Sequence, residues 1–233
     1  MNLIVQTLKV KEKFRSLLQR AYFTFVQKPL YQLCYSQNGN SFVCHGRLYH
    51  SRIILAGENC QIVIGGGTVL KNTTIRVSGR NNRLLINDGV IFSEGGTLKL
   101  EDEGNTIRIG RGTSFVNAFI AASDYNTEIT FGEHCMISNR VVIRNSDVHS
   151  ILNTEGQRIN HGRSTHIGNH VWVGYGATIL KGAIIGDNSI VGSQAVVPGR
   201  EFPSGVVIAG NPAKVVKEGV NWCGERIKPK YEV

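Results

Sequence analysis

Between Ile167 and Val197 the hydrophobic and polar positions repeat every six residues. Ile167, Val173, Ile179, Ile185, Val191 and Val197 are all branched aliphatics, six apart. Gly168, Gly174, Gly186 and Gly192 follow four of them directly, and Val171, Ala177, Ala183, Ser189 and Ala195 stand four places after the first five. An amphipathic helix needs apolar residues at spacings of 3 and 4, and a half-buried strand needs alternation. Period six fits neither and predicts a parallel β-helix, in which each hexad is one short strand and its turn. The aliphatic points inward, the glycine permits the bend, and the small residue fits the corner.

A longer period precedes this run. Ile64-Gly65, Ile86-Asn87, Ile109-Gly110 and Phe131-Gly132 mark turn starts at spacings of 22, 23 and 22. Four places after each stands Thr68, Val90, Thr113 or Cys135, and Asn59, Asn82, Asn105 or Asn126 precedes each near a corner. Asparagine tolerates the left-handed conformation such corners need. Each coil is therefore expected to hold three strands, with a few extra residues at one corner. Phe131, Ile137 and Ile143 continue the inward series, and His149 would be next. There the pattern stops, and residues 148–166 read as a polar loop thrown out from a corner. Long loops inside compact domains usually serve function.

The chain then divides into three expected parts. Residues 1–50 form an N-terminal segment, 51–217 the coils with their loop, and 218–233 an irregular tail anchored by Trp222. Within the first part, Leu8, Phe14, Leu17, Leu18, Tyr22 and Phe25 alternate with Lys9, Lys11, Lys13, Arg15 and Arg20 up to Pro29, which reads as a helix. That helix either caps the open end of the solenoid or lies through residues 8–28 on a membrane surface. The fold class is thus all-β, a parallel β-helix with an N-terminal helical cap and an irregular C-terminal tail.

Composition narrows the function. The chain of 233 residues carries 27 glycines and is 41% hydrophobic, with no apolar stretch near the ~20 residues a spanning helix needs. Met1 to Val10 lacks the pattern of a secretory signal. The five cysteines are scattered and form no CxxC pair, which argues for reduced thiols and a cytoplasmic protein, with the basic helix offering a contact to the inner face of the membrane. The formal charge of +9 favours an anionic partner. No nucleic-acid-binding motif is visible, so nucleic acid is not the expected one.

The segment "HIGNHVWVGYGATILKGAIIGDNSIVGSQAVV", with "VVIAGNPAKVVKE" after it, resembles the hexapeptide-repeat acyltransferases, above all the branch that O-acetylates sugars and capsular polysaccharides. The resemblance runs over roughly residues 55–218. It implies that the single-stranded parallel β-helix is left-handed, against the usual crossover rule. It further implies acetyl-CoA as co-substrate and a homotrimer with three donor sites between neighbouring subunits. The acceptor it implies is a sugar or polysaccharide.

The candidate chemistry centres on His149. Acetyl transfer to a hydroxyl needs a base, and imidazole titrates near neutrality. Of seven histidines, His149 lies where the inward register breaks, and it matches the family's catalytic histidine in "SDVHS". A satisfied corner histidine is the alternative. Asp147 would point the same way as His149 in a strand and so orient the imidazole or bind the acceptor; a plain corner role is equally open. Arg144 and Asn145 beside it are expected substrate contacts. Trp172 faces outward, where it either positions the acyl group, with its backbone amide or ring near the oxyanion, or anchors a subunit interface. By family position Gly174, Ala177, Gly192 and Ala195 would bare backbone amides to the pantetheine arm, while Arg200 and Lys214 meet the phosphates. No metal site is expected.

Three rivals remain. A zinc enzyme of the γ-carbonic-anhydrase type could use His161 and His166, but Gly156 stands where a further ligand would be required. An N-acetyltransferase of an amino-sugar nucleotide shares such coils, and a non-catalytic scaffold would use the solenoid only as a binding face. Arg76, Arg80, Arg83, Arg108, Arg111, Arg140, Arg144, Arg158 and Arg163 would suit an acidic polymer, such as a sialic- or uronic-acid capsule, or else are spread around all faces.

Overall fold

Three short strands per coil, each hydrogen-bonded to its counterpart one coil away, wind into a triangular β-solenoid. The computed structural model describes residues 31–228. The expected N-terminal helix, residues 8–28, lies outside them. Twenty-three strands form the described fold. Every pairing is parallel except the last, between Val206–Gly210 and Ala213–Glu218.

The first face stacks eight strands: Ser41–Cys44, Gln61–Ile64, Arg83–Ile86, Thr106–Ile109, Glu128–Phe131, Thr165–Ile167, Ile184–Ile185 and Glu201–Phe202. These mark eight coils. The second face includes Val69–Lys71, Met136–Ile137, Trp172–Val173 and Ile190–Val191. The third includes Ser51–Leu55, Thr73–Val77, Val141–Arg144, Thr178–Ile179 and Val196–Val197. Two long strands, Ile91–Leu100 and Ser114–Ala122, run from the second face into the third without a break.

The register explains the two periods in the sequence. Ile64 pairs with Ile86, Ile86 with Ile109 and Ile109 with Phe131, so the early coils are of 22, 23 and 22 residues. Phe131 then pairs with Ile167, a step of 36, and Ile167 with Ile185, a step of 18. The loop is therefore one coil's worth of chain inserted between two coils that still stack. The six aliphatics of the hexads are buried, as are the corner residues Val171, Ala177, Ala183, Ser189 and Ala195. Inside the early coils Phe92 stacks on Phe115 at 4.2 Å, and Phe131 meets Phe115 edge-on at 5.2 Å. Such in-register stacking follows from placing the same side-chain class at the same coil position.

Two sequence expectations about this frame need correction. Within the described residues the coils are already present from Tyr31, ahead of residue 51: Tyr31–Tyr35 pairs in register with Ser51–Leu55, and Ser41–Cys44 with Gln61–Ile64. The first coil steps by only 20 residues from Cys44 to Ile64, which hid it from a search at period 22. The corner asparagines also split. Asn59 and Asn126 are left-handed, at φ of 50° and 53°. In the two coils between them Asn81 and Gly104 take that conformation, while Asn82 and Asn105 turn inward and are fully buried.

Those buried asparagines build a ladder up the corner between the third face and the next coil's first face. The Asn105 N–H donates to Asn82 Oδ1 at 2.7 Å, Thr127 Oγ1 to Asn105 Oδ1 at 2.7 Å, and Asn145 Nδ2 to Thr127 Oγ1 at 2.5 Å. Each rung satisfies a polar group that burial would otherwise leave costly. The extra residues of the long coils all sit at this corner. Its backbones approach so closely that a Cβ on Gly79 would lie 1.9 Å from the carbonyl oxygen of Asp102.

At the C-terminal end, Ala213–Glu218 folds back antiparallel and places Ala213 and Val215 on the last coil's core. The turn before it contains a cis Asn211–Pro212 bond. The tail follows without regular structure and returns to the solenoid at Trp222. Trp222 stacks on His170 at 4.3 Å, and its indole N–H donates to the His170 carbonyl at 2.8 Å.

Candidate active site

The polar loop rises from the same corner as the asparagine ladder, directly after Asn145. Its neck is closed by the Arg163 N–H donating to the Asn145 carbonyl at 2.9 Å. Its arm is a small hairpin: the Ile159 N–H donates to Ile151, and the Asn153 N–H to Gln157, both at 2.9 Å. Neither strand of this hairpin is long enough to stand alone, so the loop depends on its contacts with the coils.

Those contacts come from both neighbouring coils. Below, Arg158 grips Asp124, with Nη1 3.1 Å from Oδ1 and Nη2 2.5 Å from Oδ2, and the Gly162 N–H adds a third bond at 2.7 Å. Burial works against charge on Asp124, but the Arg158 and Gly162 bonds outweigh it and hold the carboxyl below its ordinary range. Above, Lys181 reaches down from the next coil to Asp147 Oδ2 at 2.5 Å and to the Asn160 carbonyl at 3.0 Å. The lysine bond is the main cause that lowers the Asp147 carboxyl. Arg163 lies along the corner over Gly182 and Gly199 and donates to the Lys181 carbonyl.

His149 stands exposed at the start of this loop. It does not share a strand with Asp147, as the sequence led us to expect. Its N–H donates to the Asp147 carbonyl at 2.8 Å, a three-residue turn whose central residue, Val148, has φ of 69°. A β-branched residue rarely adopts that conformation, and it persists only where the surroundings impose it. The Asp147 carboxylate is engaged with Lys181 and Asn160 rather than the imidazole.

The other expected site residues are distributed unevenly. Asn145 is fully buried, its amide bonded to Thr127 and the Ser123 N–H; it supports the loop and cannot touch an acceptor with its side chain. Arg144 lies on the third face with its guanidinium 4.8 Å from the Phe119 ring. Trp172 is 38% exposed on the second face, the side of the prism opposite the loop's corner. It is therefore not beside the loop within this chain. Its backbone N–H is spent on the Ser189 carbonyl at 3.0 Å, so the indole ring and its N–H are what Trp172 can offer.

The hexad residues fare similarly. Gly174, Ala177, Gly192 and Ala195 donate their N–H groups to Val191, Gly174, Ile208 and Gly192 within the coils, which removes the expected amide bonds to pantetheine. Ala177 and Ala195 are wholly buried corner fillers. Gly174 is required by the coil itself, since a Cβ there would lie 2.7 Å from the Ser193 nitrogen. Arg200 and Lys214, far apart in sequence, do meet: with Glu201, Phe202 and Val215 they line an open hollow of about 300 Å³ at the C-terminal coils. Arg200 is steadied there by its bond to the Ala213 carbonyl and by the Phe202 ring at 5.0 Å.

Among the described residues no cluster of three or more His, Cys, Asp or Glu side chains could hold a metal ion. His166, one of the two histidines weighed as zinc ligands, bonds instead to Thr130 Oγ1 at 2.9 Å. Cys135, the cysteine nearest the tight coils, is buried, and burial pushes its thiol up to about 11. It is no nucleophile at neutral pH. Sequence reasoning missed Asp124, Asn160 and Lys181. A carboxylate, an amide and a lysine spaced 21 to 36 residues apart leave no local pattern.

Comparison with known proteins places this arrangement. Residues 164–199 match the family model for the bacterial transferase hexapeptide (six repeats). The polysialic acid O-acetyltransferase of Neisseria meningitidis is 38% identical over 173 residues, covering 74% of this chain and 79% of that protein. The polysialic acid O-acetyltransferase of Escherichia coli O1:K1 is 42% identical over 122 residues, 52% of this chain and 39% of that protein. Among solved structures, the polysialic acid O-acetyltransferase OatWY superposes with a TM-score of 0.75 at 32% identity, over 86% of this chain and 93% of its own. The polySia-specific acetyltransferase NeuO superposes with a TM-score of 0.76 at 28% identity, over 88% and 93%. The chain belongs to the hexapeptide-repeat acyltransferases, in the branch of the capsular polysaccharide O-acetyltransferases.

Proposed function

We propose that the protein transfers acetyl from acetyl-CoA to a hydroxyl of a sialic-acid-containing surface polysaccharide, with His149 as general base. The observation that carries the reading is the loop itself. It presents an exposed imidazole, held by its backbone, on a solenoid whose relatives acetylate polysialic acid. His149 takes the hydroxyl proton as the oxygen attacks the thioester carbonyl. The tetrahedral oxyanion collapses with loss of the coenzyme A thiolate, which recovers the proton from the imidazolium.

Trp172 would act from a neighbouring copy of the chain. One subunit holds His149 and Trp172 on opposite sides of the prism, so a site using both requires two subunits, as in the expected homotrimer. The hollow between Arg200 and Lys214 suits the phosphates of the donor. An acidic acceptor is favoured by a row of bases on the third face: Arg76 and Lys99 are directly paired, and Arg144 follows in the same register row beyond Ala121. Lys99 shares its charge with Glu101 at 2.7 Å.

Coenzyme A release from acetyl-CoA, followed with polysialic acid and with neutral glycans as acceptors, tests the reading. Release is expected with polysialic acid, weakening as salt rises. Faster turnover of neutral glycans at low salt would refute the acidic acceptor.

A further inference from the structure

Among the described residues no side chain is hydrogen-bonded to the His149 imidazole, yet the backbone of His149 is held from both ends. Its N–H is bonded to Asp147, and its carbonyl accepts from Asn160 Nδ2 at 2.8 Å. The same Nδ2 donates its second hydrogen to Asp147 Oδ2 at 2.8 Å, while Asn160 Oδ1 accepts the Ile151 N–H at 2.7 Å. Lys181 Nζ closes the ring, bonding both Asp147 Oδ2 and the Asn160 carbonyl. Its side chain is 17% exposed and that of Asp147 is 42%, so the lysine end of the bond is covered while the carboxylate end meets solvent.

We propose that Lys181, acting through Asp147 and Asn160, is the positioning residue that sets the place and orientation of the His149 imidazole. The proposal rests on the reading of His149 as the base. Lys181 belongs to the corner just after Thr178–Ile179, one coil beyond the loop's root. It therefore transmits the geometry of the rigid hexads to a loop that has little structure of its own. What it holds is specific: Asp147 directly and, through Asn160, His149, the two residues flanking Val148, whose left-handed backbone would relax without an external hold. Relaxation there swings the next side chain. A misplacement of about 1 Å costs on the order of 10²-fold in rate. The lysine bond lowers the Asp147 carboxyl, so the carboxylate acceptor persists to more acid pH than an unpaired one would.

Lysine is suited to this role as a compact donor of three bonds on a flexible stem, two of which are used here. A second role for Lys181, as a phosphate contact of the donor, would show itself in the Michaelis constant for acetyl-CoA instead of in turnover.

Steady-state kinetics with acetyl-CoA and polysialic acid separate these cases, using H149A, K181M, K181R, D147N and the K181M/D147N double variant. K181M and D147N are each expected to lower kcat roughly 10- to 100-fold, with KM for acetyl-CoA within about twofold. The double variant should fall well short of the product of the two single losses, because the Lys181–Asp147 bond is common to both. K181R should recover most of the loss. If K181M fails to fold, D147N breaks the same bond from the more exposed partner. Unchanged kcat in K181M or D147N beside an inactive H149A overturns the proposal alone. So does a change confined to KM, or a double variant whose losses multiply. Activity retained in H149A would instead overturn the assignment of the base.

Discussion

Arg158 and Asp124 meet fork to carboxylate across 34 residues of sequence, with the carboxylate only 4% exposed. This bidentate pair fastens the far side of the polar loop to the preceding coil, and the Gly162 N–H shares the same carboxylate. Charge-assisted pairs of this geometry are among the stronger polar contacts in proteins.

Removing that carboxylate leaves a sheltered guanidinium and a backbone N–H without their acceptor. Asp124→Ala is expected to destabilise the fold by about 1–3 kcal/mol and to open the loop to proteases between residues 147 and 160. Chemical denaturation and limited proteolysis check it. Unaltered cleavage would mean that the neck bonds alone hold the loop.

The same pair sets an acid limit. The folded Asp124 carboxyl lies below its ordinary value, so its contribution is fully present above the unfolded pKa of about 3.9 and is lost as pH falls through the lower folded value. Asp147 behaves alike. Protection against hydrogen exchange in the loop, taken relative to the intrinsic rate at each pH, should therefore be the same at pH 7 and pH 5 and fall below about pH 4. Loosening already between pH 7 and pH 5 would contradict this.

Two glycines with the same left-handed backbone should respond differently to alanine. Gly79 has φ of 74° and Gly156 of 78°. At Gly156 a Cβ meets nothing within 4 Å, whereas at Gly79 it meets the Asp102 carbonyl oxygen at 1.9 Å. Gly156→Ala should cost only about 1 kcal/mol, the conformational penalty. Gly79→Ala adds a backbone clash and should lower the unfolding midpoint much further. Equal midpoints would show that the corner can yield.

His149→Ala should lower the acetyl-transfer rate roughly 10²- to 10⁴-fold with the unfolding midpoint unchanged, because the side chain is exposed and buries nothing. A variant that still turned over at near-normal rate would require another base.

Much of the frame was legible in the chain because a solenoid makes distant contacts periodic. Ile167 predicts where Ile185 lies, and in the coil where the pattern breaks at His149 the register step lengthens to 36 residues. What periodicity could not reveal was which way a corner residue turns. Asn82 reads like Asn59 in sequence but points inward, since the left-handed position in that coil falls one residue earlier, at Asn81. Nor could it reveal that the amides at Gly174, Ala177, Gly192 and Ala195 are consumed by neighbouring coils. The partners of the loop, Asp124 and Lys181, depend on how one irregular segment settles against two regular ones. That is decided by tertiary register and not by any local spacing.

The asparagine ladder has a consequence for how such a molecule can change in length. From Asn82 through Asn105 and Thr127 to Asn145, every rung is handed from one coil to the next at the same corner. Excising or duplicating one whole coil hands the rung on intact, whereas a single-residue insertion at that corner would turn an amide out of the interior. The one residue by which the 23-residue coil exceeds its neighbours is taken up instead at the bulge opposite Phe115 and Asn117. The height of the prism below the loop is thus quantised. Lineages can lengthen or shorten the solenoid below the loop in steps of one coil while the loop and the tight coils above it stay in place.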